Sequence, residues 1–240
     1  MLILHGVKPI LRVVPVAEKT MALRDTRLRP ETPLRLRVGF WFCIVIGVAV
    51  VVRRIVALRQ SVAPSGPPDL VRLDAWFRSH AVLTYLHIST ALVFLALLPL
   101  ILWTRTQRSI PIRSAYYGVG TVVGITAYTM SVYSVGGWVE RAAVLFFNTL
   151  FLIALIMSFR AWRAGAKGEE WRWTLRSAAT VLGIATTRPV MGIFFATSRV
   201  THWGPSQFFG PAFWIGFTIN VLVIEIWLRQ NTASTEGSLS

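Results

Sequence analysis

The chain has 240 residues, of which 54% are hydrophobic and only 15% charged, with a mean hydropathy of +0.58. A soluble globular domain carries nearer a quarter of charged residues, and here the apolar residues gather into blocks of the ~20 residues needed to span a hydrocarbon core, so an ordinary soluble fold is excluded. The net charge of +15 would suggest nucleic acid in a soluble chain, but the basic residues flank the apolar blocks, as the positive-inside rule requires, and no nucleic-acid partner is expected.

In chain order, residues 1–37 are interrupted by Pro9, Pro15, Pro30 and Pro33 and carry 8 Lys and Arg. With no apolar stretch of the signal-peptide kind near the N-terminus, they read as a disordered, basic cytoplasmic arm, with Met21 as a second candidate start. The first span is predicted over 38–58, although Arg53 and Arg54 shorten its cleanly apolar part to fifteen residues. Its Cys43 is the only cysteine, which excludes an intrachain disulfide and reads as a small hydrophobe. Pro64, Pro67 and Pro68 then break the helix, Asp69 has N-cap chemistry, and Leu70, Leu73, Trp76 and Phe77 share one side of a short interfacial helix.

Five further spans follow from uninterrupted apolar runs: 81–103, 114–135, 142–159, 175–196 and 208–228. Residues 229–240 read as a disordered tail. The fold class is therefore all-α, a polytopic bundle of six transmembrane helices over 38–228, with the lipid bilayer as its first partner.

Lys and Arg number 8, 3, 5 and 1 in the arm, the second and fourth loops and the tail, against 5, 1 and 1 in the alternate loops. This bias places both termini in the cytoplasm of a bacterial cell. Tryptophans mark the same two levels: Trp41, Trp103, Trp162, Trp171, Trp173 and Trp227 at inner ends, Trp76, Trp138 and Trp203 at outer ones. Small-residue stripes, Gly120, Gly124, Ala127 and Ser131 in one span and Ala179, Gly183 and Thr187 in another, suit close helix packing within one subunit.

Catalytic constellations are absent: no His-Glu-x-x-His, Walker loop, nucleophile elbow or paired intramembrane carboxylates occurs, so the reading leans against an enzyme without deciding it. Of His5, His80, His87 and His202, only His87 lies well inside a span. Because His80 shares its helix and face, the two cannot ligate opposite sides of one haem, and no haem or metal is expected. Arg188, in Thr186-Thr187-Arg188-Pro189, is the costliest residue: an arginine at a span's centre costs about 2.5–3.5 kcal/mol on insertion scales. Glu225 is the only acid in a predicted span and is expected to reach interfacial water, leaving Arg188 with no carboxylate at its depth.

Residues 75–195 contain His87-Ile88, Arg113, Trp173-Thr174-Leu175-Arg176 and, twelve residues on, Arg188. In this the chain resembles the bacterial membrane-protein family catalogued as domain of unknown function 2306, which pairs a His-Ile with a later His-Arg and a His-x-x-Trp-Met-x-Arg. Where that family has its two later histidines, this chain has Ile112 and Glu170. The resemblance implies a membrane protein, singles out Arg113, Arg176 and Arg188, and implies no reaction.

Counting 1.5 Å per residue from each predicted helix end places His87, Tyr128, Asn148 and Arg188 at one level, about 9–12 Å below the outer boundary. These four define a predicted outward-facing pocket for a small anionic, quinone-like or lipidic ligand. Two other readings stay open: a degenerate relative of b-type membrane cytochromes, and an accessory subunit that holds an unknown protein partner.

Overall fold

The computed structural model of the protein describes residues 32–59, 68–103 and 109–236, so positions 1–31 of the arm predicted over 1–37 and the last tail positions lie outside the described residues. Seven helices and no strand occur among them: α1 (Leu34–Arg59), α2 (Pro68–Ser79), α3 (Ala81–Trp103), α4 (Ile110–Ser131), α5 (Gly137–Arg163), α6 (Lys167–Thr201) and α7 (Pro205–Glu236). The interfacial segment is the short helix α2. Span two matches α3, whereas α1 starts inside the predicted arm and α7 runs about two turns beyond the predicted last span, through residues assigned to the tail.

Five of these helices, α1, α3, α5, α6 and α7, are long and apolar enough to cross a membrane. Their outer faces carry exposed Val45, Val82, Ile156, Ile193 and Ile226, a density of exposed apolar side chains of the kind a soluble monomer avoids. The predicted third span, α4, is 22 residues long, about 33 Å of helix, but its tyrosines, threonines and glycines lower its hydropathy. Many of those groups turn inward: Tyr116, Tyr117, Gly120, Gly124 and Thr126 are all buried.

Local chemistry sets the helix ends. Ser109 is extended at the start of α4, followed by a proline in the first turn, where its missing N–H costs nothing. α4 ends at Ser131, ahead of the predicted 135, in a turn that closes on Gly137 at φ +62°. Gly165 at φ +72° ends α5, its N–H donating to the Trp162 carbonyl at 3.0 Å. Glu169 and Glu170 then occupy the first turn of α6, where the helix dipole favours negative charge.

α6 is the hub, packing on α7, α5, α1 and α3. The small-residue stripes lie at two sets of seams, one between α4 and its neighbours α3 and α5, the other between α6 and α7. A Cβ on Gly120 would meet Phe94 of α3 and Leu155 of α5 at 2.8 and 2.9 Å, and one on Gly124 would meet Leu152 at 2.5 Å. Gly216 of α7 lies so close to α6 that its Cβ would fall 2.6 Å from the Thr187 backbone nitrogen. Both stripes therefore serve contacts inside one chain. α1 is the least embedded of the five helices long enough to cross a membrane, with only Ile44, Gly47 and Val51 buried. Its Cys43 Sγ lies 3.8 Å from the Thr186 hydroxyl, which donates to Asn220 Oδ1 at 2.9 Å.

Aromatic contacts fix which helix ends share a level. Trp41 of α1 stacks on Trp103 of α3, Tyr117 of α4 on Trp162 of α5, and Trp171 of α6 contacts Trp227 of α7. The start of α1, end of α3, start of α4, end of α5, start of α6 and end of α7 thus lie together. Tyr133, just after α4, packs its ring 3.9 Å from that of His80 before α3, so α4 runs between the same two levels as its neighbours.

Candidate functional site

The two ends of the bundle handle their polar groups differently. At the tryptophan-rich end the Tyr116 hydroxyl bonds Ser177 Oγ at 2.5 Å, and the Tyr117 hydroxyl bonds Ser158 Oγ at 3.0 Å. Ser158 also bonds Thr174 Oγ1 at 2.8 Å, and Thr174 donates to the Glu170 carbonyl at 2.7 Å. The Glu170 carboxylate forms an ion pair with Arg113 at 3.2 Å. Nearby, Arg176 pairs with Glu225 at 2.9 Å, and Arg229 meets the same carboxylate at 3.1 Å. Glu225, expected to face interfacial water, is thus held between two arginines. The end is packed and its buried hydroxyls and carboxylates have partners, as buried groups in stable folds do, while the Nε atoms of Arg113 and Arg172 are buried without a hydrogen bond.

The opposite end encloses a cavity of about 470 Å³, within the range of small-molecule sites. α1, α3, α4, α5, α6 and α7 wall it, and α2 contributes Trp76 and Phe77. Most of the lining is apolar, including Val51, Ile88, Val123, Phe147, Ile184 and Phe213. His87, Asn148 and Arg188, three of the four predicted pocket residues, all line it.

His87 Nδ1 bonds Thr126 Oγ1 at 2.9 Å. That hydroxyl also donates to the Val122 carbonyl at 2.8 Å, so His87 is tied to α4. Asn148 Nδ2 donates to the Gly124 carbonyl at 2.9 Å, made reachable because residue 124 has no side chain. Tyr128, the fourth predicted residue, is corrected: it is not in the lining, and its hydroxyl bonds Thr149 Oγ1 at 2.7 Å in an exposed position. The reason is azimuth. Successive residues on a helix are turned by about 100°, and α4 presents Val123, Ala127 and Met130 to the cavity, which turns Tyr128 toward the outer seam with α5.

Among the described residues Arg113, Arg141, Arg172 and Arg188 have a buried Nε without a hydrogen-bond partner, and of these four only Arg188 lines the cavity. Among the described residues its guanidinium makes one contact, from Nη1 to the Met191 sulfur at 3.7 Å. Pro189 follows it and cannot donate to the Ala185 carbonyl one turn back. The charges of Arg54 and Arg53 repel Arg188, and that of Glu140 attracts it. Glu140 is buried and lines the cavity, about two turns of α5 nearer the helix end than Asn148. Glu140 nevertheless spends a carboxylate oxygen on the Gly136 N–H, at 2.5 Å, and no ion pair joins it to Arg188.

Sequence reasoning missed three further groups here. Glu140 fell in a predicted loop because the apolar run starts only after it, although α5 begins earlier and buries it. Arg54 looked like a helix-ending charge, yet it bonds Asp74 of α2 at 2.6 Å and stacks 3.9 Å above the Phe77 ring. Thr84 is buried and donates to the His80 carbonyl at 3.0 Å. The one available clue was the isolated acid Asp74, placed to answer the Arg53-Arg54 pair. The resemblance-derived arginines do not form one site: Arg113 and Arg176 belong to the closed end, and Arg188 lies about 18 Å farther along α6.

Compared with protein-family models, curated proteins and solved structures, the chain shows no match. The resemblance over residues 75–195 rests on the quoted residues alone.

Proposed function

We propose that this is a six-span membrane protein, with both termini in the cytoplasm, whose cavity is a non-catalytic binding compartment for a small amphipathic ligand bearing negative charge. The observation that carries this reading is Arg188, whose Nε is buried without a partner in the wall of a cavity otherwise mostly apolar. A cation in that setting is expensive, and an anionic group entering the cavity supplies the missing acceptor. Counting α4 as the sixth span is supported by its running between the same levels as α3 and α5. The inward-turned hydroxyls explain its lower hydropathy. The orientation is supported by the Lys and Arg bias, which puts the cavity at the outer face of a bacterial cytoplasmic membrane.

Three measurements test this. Native mass spectrometry of the protein released from its own membrane is expected to show a small-molecule adduct that Arg188→Leu loses; the same adduct in both proteins overturns the assignment. With Cys43 replaced, single cysteines at 136 and 204 are expected to react with an impermeant reagent from outside, and one at 165 only from inside. No haem belongs to this reading, so oxidised and reduced absorbance spectra are expected to lack a Soret band.

A further inference from the structure

We infer that the cavity is selective for a singly charged amphiphile, a carboxylate on an apolar chain, over a neutral or doubly charged one; this rests on the ligand-binding reading above and narrows it. Three observations point to it. First, Nη1 of Arg188 is turned to Met191, so the free edge of the guanidinium is the one formed by Nε and Nη2. That edge presents two parallel N–H groups, the fork that grips a carboxylate with both oxygens.

Second, the charge of the groups lining the cavity and of their ion-pair partner Asp74 is small and positive. Arg53, Arg54 and Arg188 face two carboxylates, Asp74 bonded to the first two and Glu140, which acts on Arg188. The balance is one positive charge. One negative charge on a ligand neutralises it, whereas a second would be taken out of water without a partner, a cost that rises steeply in a low-dielectric site. Third, below Arg188 the lining is Ile88, Leu95, Phe151, Val181 and Ile184, with no charged group to receive a polar tail. Thr180 of that region is already bonded to the Arg176 carbonyl at 2.8 Å.

The test measures binding of radiolabelled myristate, tetradecanol and tetradecyl phosphate to protein in phosphatidylcholine nanodiscs, corrected for uptake by empty discs. Myristate is expected to bind tightest. Arg188→Leu is expected to weaken it at least about tenfold, the equivalent of one charge-assisted hydrogen bond, and to leave tetradecanol unchanged. Arg188→Lys, which keeps the charge and loses the fork, is expected to fall between.

Glu140→Gln provides a check that does not depend on how Arg188→Leu folds. The amide oxygen can still accept from the Gly136 N–H, and the balance rises to two positive charges, so preference is expected to move toward tetradecyl phosphate. Tetradecyl phosphate binding as tightly as myristate to the unaltered protein, or no change in preference in Glu140→Gln, overturns the charge selection while leaving an anion site in place. Tetradecanol binding as well as myristate overturns the anionic head, and binding of none of the three removes the ligand reading itself.

Discussion

The two ends of this bundle use polar side chains within a few residues of the same helices to opposite effect. At the closed end, Tyr116, Tyr117, Ser158, Thr174, Ser177, Glu170 and Arg113 bond to one another or to nearby backbone. At the open end, His87 and Asn148 are anchored by one bond each, while Arg188 has only a sulfur for company. Hydrogen bonds completed within the protein contribute to stability, and those left incomplete beside a cavity are available to something else. In a membrane, where water does not fill the gaps, that contrast separates packing from binding.

The sharpest way to break the comparison is Tyr116→Ala. Tyr116 is fully buried, and its loss leaves a void and takes one of two partners from Ser177, whose hydroxyl keeps its bond to the Thr174 carbonyl, so a destabilisation of about 3–5 kcal/mol is expected, read by unfolding in mixed micelles. Ser158→Ala removes the hydroxyl shared by Tyr117 and Thr174 and is expected to cost about 1–3 kcal/mol. Arg188→Leu should act the other way: in ligand-free protein it relieves an unpaired buried charge, so the unfolding midpoint is expected at or above that of the unaltered chain. A large loss there would make the open end structural too and erase the distinction. Tyr128→Phe, outside the cavity, is expected to shift stability by less than about 0.5 kcal/mol and to leave myristate binding unchanged.

What could be read from the sequence divides along similar lines. Apolar run length locates helices because the hydrocarbon core demands a minimum span, and α3 appears with the predicted ends. Depth follows from the constant rise per residue, which is why His87, Asn148 and Arg188 share a cavity. Rotation about each axis does not follow from counting, so Tyr128 was grouped with them although it faces the outer seam. Glu140 was hidden for a different reason. It is a charged residue in the first turn of α5, outside any apolar run, and only the turn at Gly136 folding back over it makes it part of the interior. The same holds for Arg54, whose partner Asp74 lies across a proline-rich stretch with no periodicity to phase the two helices.

The close approach of Gly216 to Thr187 decides which wall of the cavity can move. With backbone against backbone, α6 and α7 form a stator: sliding one over the other would drive main-chain atoms together. α1 contrasts with it, resting on the bundle through three buried positions and latched at the open end by the Arg53 and Arg54 contacts to Asp74. On the binding reading proposed above, α1 and α2 are the part of the wall expected to yield to an entering ligand against the α6–α7 frame, with the Asp74 contacts resisting that movement.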